Sequence, residues 1–247
     1  MGGPMRGVAV FVTGLLFIAA AQAAGSARPA LRVIVDSSTE MPWAQLQADR
    51  VTAGLHHDLG LALAEQLGRE AQFLVLPRKR MATALEQGQG DIVCALVPKW
   101  FAGPFDWSQP MLPDGVLILS AARAKRPSTV SDLRGLTIGT VNGFVYPELE
   151  QALGSGFVRE DAPNAGANLR KLNQGRMDYA VSNQRYVEFQ RRQGVLSLAL
   201  HPDFVLSRHT NSCALSRRSE VKLEQLNQAI TALEKSGALS RMADAYR

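Results

Sequence analysis

The feature that most narrows what this chain can fold into is the way its apolar spacing switches back and forth from residue 31 onward. Residues 31–35, Leu-Arg-Val-Ile-Val, form a short β-branched run that stops at Asp36-Ser37-Ser38, the pattern of a strand followed by a loop. Leu55, Leu59, Ala62 and Leu63 then recur at helical spacing, and Gly68 supplies a stop. Residues 72–76 read as a second strand ending at Pro77, residues 80–87 as a helix closed by Gly88, and residues 91–97 as a third strand that stops at Pro98. A β-α-β-α-β order predicts a mostly parallel sheet with helices on both faces, because each crossover must return the chain alongside the previous strand.

A strand at 116–121 is followed by a polar, proline-containing break at 123–128, after which the alternation restarts. Strands are expected at 137–141, 157–160 and 179–182, with helices from 147, over 167–174 and over 185–193. A short strand at 213–215 and one long amphipathic helix close the chain; in that helix Leu223, Leu226, Ile230 and Leu233 keep a spacing of three to four, resumed by Leu239, Met242 and Tyr246. At 247 residues the chain is long enough for one large or two small domains. The alternation and its break favour two α/β units.

Residues 1–24 stand apart. Arg6 is the only charge before Arg28, residues 8–21 are almost wholly apolar, and Ala21-Gln22-Ala23 follows, which together read as a cleaved secretory signal peptide. The apolar core is shorter than the roughly 20 residues a membrane span needs. The expectation is therefore an exported, periplasmic protein that is not membrane-embedded. The formal charge of +5 comes from scattered basic clusters with no nucleic-acid motif beside them, so nucleic acid is not an expected partner.

The order of elements, taken with particular residues, resembles a known family. Residues 54–59, Gly-Leu-His-His-Asp-Leu, are followed by Leu-Ala-Glu-Gln-Leu-Gly at 63–68; Leu85-Glu-Gln-Gly88 leads to Asp91-Ile92; Phe105-Asp-Trp-Ser-Gln-Pro110, Leu133-Arg-Gly135-Leu-Thr-Ile-Gly139 and Leu172-Asn-Gln-Gly175-Arg-Met-Asp178 come next in the same order. Over nearly its whole length after residue 28 the chain is similar to the periplasmic solute-binding proteins of the amino-acid-binding type, family 3 of the bacterial extracellular solute-binding proteins. The resemblance implies an α/β type II periplasmic binding fold. Lobe one spans 28–122 plus 206–247, lobe two spans 123–205, and two crossover strands join them. It also implies a monomer that captures a small polar, anionic metabolite and delivers it to an ABC permease or reports it to a membrane sensor.

In open α/β sheets a ligand sits beyond the carboxyl ends of the strands, which places the candidate residues. Glu40 and Trp43 follow the first strand, and a tryptophan in a loop offers a broad face for stacking. Arg78-Lys79-Arg80 opens a helix after the second strand, where free backbone N–H groups and a guanidinium suit an anion; Arg80 is the expected contact. Lys99 and Trp100 follow the third strand, in a turn where the family carries a carboxylate-gripping arginine that this chain lacks. Asn142 and Gly143 occupy what the resemblance implies is the second lobe's anion loop. Asn183 stands where the family places an aspartate for the ligand ammonium. These two departures argue against a standard α-amino acid as ligand.

No catalytic, dinucleotide or phosphate-loop motif and no metal-ligand spacing occurs, so neither a cofactor nor a metal is expected, and His56 and His57 read as surface or helix-cap residues. The same scaffold also serves cyclohexadienyl dehydratases, so an enzyme of that kind, or a degenerate interaction module, is the alternative. The resemblance sets the strands of Cys94 and Cys213 side by side. A bridge closing a loop of more than about 100 residues is worth roughly 4–5 kcal/mol in the chain-entropy model. Paired strands do not always present bridge geometry, so a disulfide and two buried thiols both stay open.

Overall fold

The computed structural model describes residues 1–3 and 29–246, so the expected signal segment falls almost wholly outside the described residues. Strand β1 (Ala30–Asp36) is buried along most of its length, as a parallel strand covered on both faces must be. The hairpin β2 (Gln45–Gln47) and β3 (Arg50–Ala53) leads into helix α1 (Leu55–Gln66), whose buried face carries Leu55, Leu59 and Leu63. Strand β4 (Glu70–Leu76) pairs in parallel with β1, Asp36 opposite Leu76. Helix α2 (Arg78–Glu86) and strand β5 (Ile92–Leu96) complete the first unit, with a two-residue strand β6 (Asp106–Trp107) beyond them.

Strand β7 (Leu112–Ser120) carries the chain into a second α/β unit. That unit contains β8 (Thr137–Val141), α3 (Pro147–Leu153), β9 (Val158–Ala162), α4 (Ala165–Asn173), β10 (Tyr179–Asn183) and α5 (Gln184–Arg192). Strand β11 (Phe204–Leu215) returns to the first unit, followed by α6 (Leu223–Lys235) and α7 (Ala238–Ala245). The spatial order β4-β1-β5-β11-β7-β10-β8-β9 threads both units on one path, and its middle is the long antiparallel pair β7–β11.

The short strands β2, β3 and β6 were not expected from the sequence, and two of the expected elements take a different form. Strand β11 is 12 residues long, not three, because residues 204–211 pair with β7 before 212–215 pair with β5. Ser207, Arg208, His209 and Asn211 hide this strand from an apolar pattern; the ladder supplied by β7 makes it. The expected single C-terminal helix is two, broken at Gly237, whose φ of 71° a glycine adopts without a Cβ penalty.

The apolar cores divide between the units. Two clusters are built from residues 31–112 and 213–239, and two from residues 116–187. Cys94 of β5 and Cys213 of β11 are joined in a disulfide, resolving the alternative left open above. Among the described residues no helix is long and apolar enough to cross a membrane.

Candidate functional site

The carboxyl ends of β1, β5 and β10, the start of α2 and the loop after β8 converge on one cleft between the two units. It holds about 940 Å³ of empty space, a figure that includes the open solvent at its mouth. Trp43 and Trp100 line it from the first unit; Phe144 and Tyr186 do so from the second.

The cation in this cleft is Arg78, not Arg80. Pro77 ends β4 with extended backbone, so Arg78 is the first residue of α2 and Met81, three residues on, shares its face. Both line the cleft, whereas Arg80 lies on the opposite face and is exposed. The Arg78 guanidinium lies 5.0 Å from the centre of the Phe144 ring and 5.5 Å from that of Phe101. Its Nη2 donates a long hydrogen bond of 3.4 Å to the Trp100 carbonyl. No carboxylate among the described residues forms an ion pair with it. Burial pulls its pKa below the ordinary arginine value, and the charge of Asp36 acts in the opposite direction.

Asp36 is the counterpart. It ends β1, is 6% exposed, and accepts at Oδ1 from the Ser38 backbone N–H (2.9 Å) and hydroxyl (2.8 Å). Its Oδ2 is buried with no hydrogen-bond partner among the described residues. A buried carboxylate oxygen left unpaired is costly, and Asp36 is one of the residues that line the cleft.

Of the residues expected at the site, Trp43, Trp100, Asn183 and Glu40 line the cleft. Glu40 is already engaged. Its Oε2 accepts from the backbone N–H of Gly166 at 2.6 Å, in the first turn of α4, and from the Tyr186 hydroxyl at 3.2 Å. It therefore spans the two units, and burial together with its charge raises the Tyr186 pKa. Lys99 does not face the cleft; it is exposed on a short 3-10 turn and pairs with Glu148 of α3, a second bridge between the units. Asn142 is exposed and Gly143 packs under Arg78, where a Cβ would meet the Arg78 Cβ and Cγ at 3.4 Å. From that loop it is Phe144 and Val145 that reach the cleft, because Gly143, at φ 79°, turns the chain there.

His56 was expected at the surface or as a cap, yet it lines the cleft beside Trp43, with ring centres 5.7 Å apart. Burial, reinforced by the charge of Arg78, pushes its pKa down to about 4, so at neutral pH it is an uncharged donor and acceptor. Only its position in the first turn of a helix that follows a strand-end loop hinted at this. His57 turns away, pairing with Asp58 and stacking on Phe73. Among the described residues no group of three or more His, Cys, Asp or Glu side chains is placed to hold a metal ion.

Two α/β units on a continuous sheet, with a cleft between strand ends, define a two-lobed binding protein of type II fold. Residues 31–247 match the family model of the bacterial extracellular solute-binding proteins, family 3, and the chain belongs to that family. A comparison with curated proteins gives no match. Among solved structures it is similar to an ancestral arginine-binding protein bound to arginine, with 19% identity, a TM-score of 0.74, and 89% of this chain and 98% of that one covered. An ancestral amino acid-binding protein, a precursor of cyclohexadienyl dehydratase, is similar at 18% identity and a TM-score of 0.72, covering 88% of this chain and 95% of that one. The GluR0 ligand-binding core in complex with L-glutamate is similar at 19% identity and 0.72, covering 90% and 99%. At these identities the likeness shows the fold.

Proposed function

We propose that this chain is an exported periplasmic binding protein that closes its lobes, 28–122 plus 206–247 and 123–205, around a small dipolar metabolite. Arg78 holds the ligand's anionic group, Asp36 Oδ2 accepts from its cationic or N–H-bearing end, and Trp43, Trp100 and Phe144 enclose its body. The observation that carries this reading is that a half-buried arginine and a buried aspartate line one cleft without forming an ion pair with each other. Asp36 Oδ2 lacks a partner and Arg78 lacks a carboxylate, and a ligand bearing both complementary groups offsets both costs at once. The neighbours solved with arginine and with glutamate lend support to a ligand of this kind. Delivery to an ABC permease or to a membrane sensor is the role that such capture serves.

No arginine stands in the turn after β5 and Asn183 stands where the family places an aspartate for the ligand ammonium, so we take the ligand to be a dipolar molecule other than an α-amino acid, one whose two charges lie apart. A matched five-carbon set tests this by thermal shift: 5-aminovalerate, L-norvaline, valerate and pentylamine. We expect 5-aminovalerate to stabilise most, since a ligand at 100 Kd adds about 2.7 kcal/mol, roughly 5–10 °C for a chain of this size. Equal shifts from valerate and 5-aminovalerate would remove Asp36 from the site, and turnover of prephenate or arogenate would overturn the binding-protein reading.

A further inference from the structure

The floor of the cleft is a β-bulge closed by the disulfide. Ser212 pairs with Leu96 and Ala214 with Val93, so two residues of β5, Cys94 and Ala95, stand opposite Cys213 alone. Ala95 sits at φ 59°, in the left-handed region that a residue with a Cβ disfavours. Such a conformation persists only where its surroundings over-determine it. Here the neighbouring residue is bonded through its side chain to the strand opposite, with Cys94 4% and Cys213 0% exposed. Cys94 and Ala95 both line the cleft, so the stapled bulge is part of the ligand surface.

We infer that the Cys94–Cys213 bond is a redox-linked positioning element for the site: oxidised, it holds the bulge that shapes the floor; reduced, it releases Ala95 and the cleft loses affinity. The affinity half of this inference rests on the function proposed above; the bulge half does not. Of the two cysteines it is Cys94 that lines the cleft. A dithiol reductant entering there attacks it as a thiolate, the S–S bond breaks, and Cys213 leaves as a thiolate that takes up a proton. The reductant's second thiol then resolves the mixed disulfide, freeing the Cys94 thiol and leaving the reductant as a cyclic disulfide, two electrons and two protons having passed to the protein. By linkage, whatever binds the oxidised cleft more tightly also protects the bond.

The test compares the oxidised protein with the protein reduced by dithiothreitol, wild type and Ala95→Gly, by hydrogen exchange and by calorimetry with 5-aminovalerate. On reduction we expect exchange in residues 92–97 to accelerate by about tenfold while β1 and β4 keep their protection. Ala95→Gly, which takes a positive φ freely, should bring the reduced protein back toward the oxidised rate. Affinity for 5-aminovalerate should fall by about tenfold on reduction and recover with the same substitution, a rescue that a purely stabilising crosslink does not produce. Unchanged exchange in 92–97, or a uniform loss of protection through the first lobe with no glycine rescue, overturns the inference. If the reduced chain does not stay folded, the comparison is run in trimethylamine N-oxide, and uniform unfolding there overturns it as well. Should 5-aminovalerate bind neither redox form while the local exchange pattern appears, the ligand reading fails and the redox-linked floor stands.

Discussion

Arg78 and Arg80 stand two positions and about 200° apart around α2, and that angle decides which of them lines the cleft. The consequence is measurable. Arg78→Ala should remove a charge-assisted hydrogen bond worth roughly 1.5–3 kcal/mol, weakening 5-aminovalerate by about 10- to 150-fold in calorimetry, with Arg78→Lys restoring only part because the planar fork is lost. Arg80→Ala, on the exposed face, should change affinity by less than about twofold. His56 makes a second residue-scale test. Its pKa in the folded chain is about 4, below the ordinary 6.5, so the unfolded chain binds more protons between those values. The stability that neutral His56 contributes is therefore fully present above about pH 6.5 and is lost as pH falls toward 4. Thermal unfolding followed from pH 7 to 4 should show a steeper loss in wild type than in His56→Gln; parallel curves would mean that the imidazole is not held neutral.

At the scale of elements, the bridge from the loop after β1 to α4 depends on a glycine. A Cβ on Gly166 would lie 2.6 Å from both carboxylate oxygens of Glu40, so the carboxylate reaches the backbone N–H only because that side chain is absent. The N-terminal turn of α4 also favours negative charge through its aligned peptide dipoles. Gly166→Ala should displace Glu40 and part the lobes, read as a larger radius of gyration in small-angle scattering of the ligand-free protein. An unchanged radius would show that the bridge does not hold the lobes together.

At the scale of the whole molecule, the two units are joined by contacts on several sides. Glu40 meets α4 and Tyr186; Lys99 meets Glu148; Arg185, 5% exposed, donates from Nη1 to the Ala243 carbonyl at 2.7 Å and lies 5.9 Å from the centre of the Trp43 ring. These bridges are unequal. The side chains of Lys99 and Glu148 are 44% and 24% exposed, and an exposed pair of this sort is worth about 0–1 kcal/mol and is screened by salt. Glu40, half-buried with two donors, should matter more. Glu40→Gln is expected to open the ligand-free protein in scattering at any ionic strength, whereas Lys99→Ala should act only at low salt; the reverse ranking would put closure on the rim pair.

Much of this architecture is legible along the chain. The change between strand and helix spacing, the prolines and glycines that end each element, and the aromatic and charged residues at strand ends are short-range features, fixed by backbone sterics and by which residues must be buried. From them come the family, the two units, the cleft and the presence of Trp43, Trp100 and Asn183 beside it. The rest depends on partners far off in sequence. Strand β11 exists through its pairing with β7, since its polar residues give no apolar alternation. The phase of α2, set by where Pro77 ends β4, selected Arg78 from three adjacent cations. The closeness of α4 turned Glu40 from a candidate ligand contact into a bridge, and Lys99 was drawn to Glu148 in the same way. The bond between Cys94 and Cys213 was decided when β5 and β11, more than a hundred residues apart, came together as neighbours in one sheet.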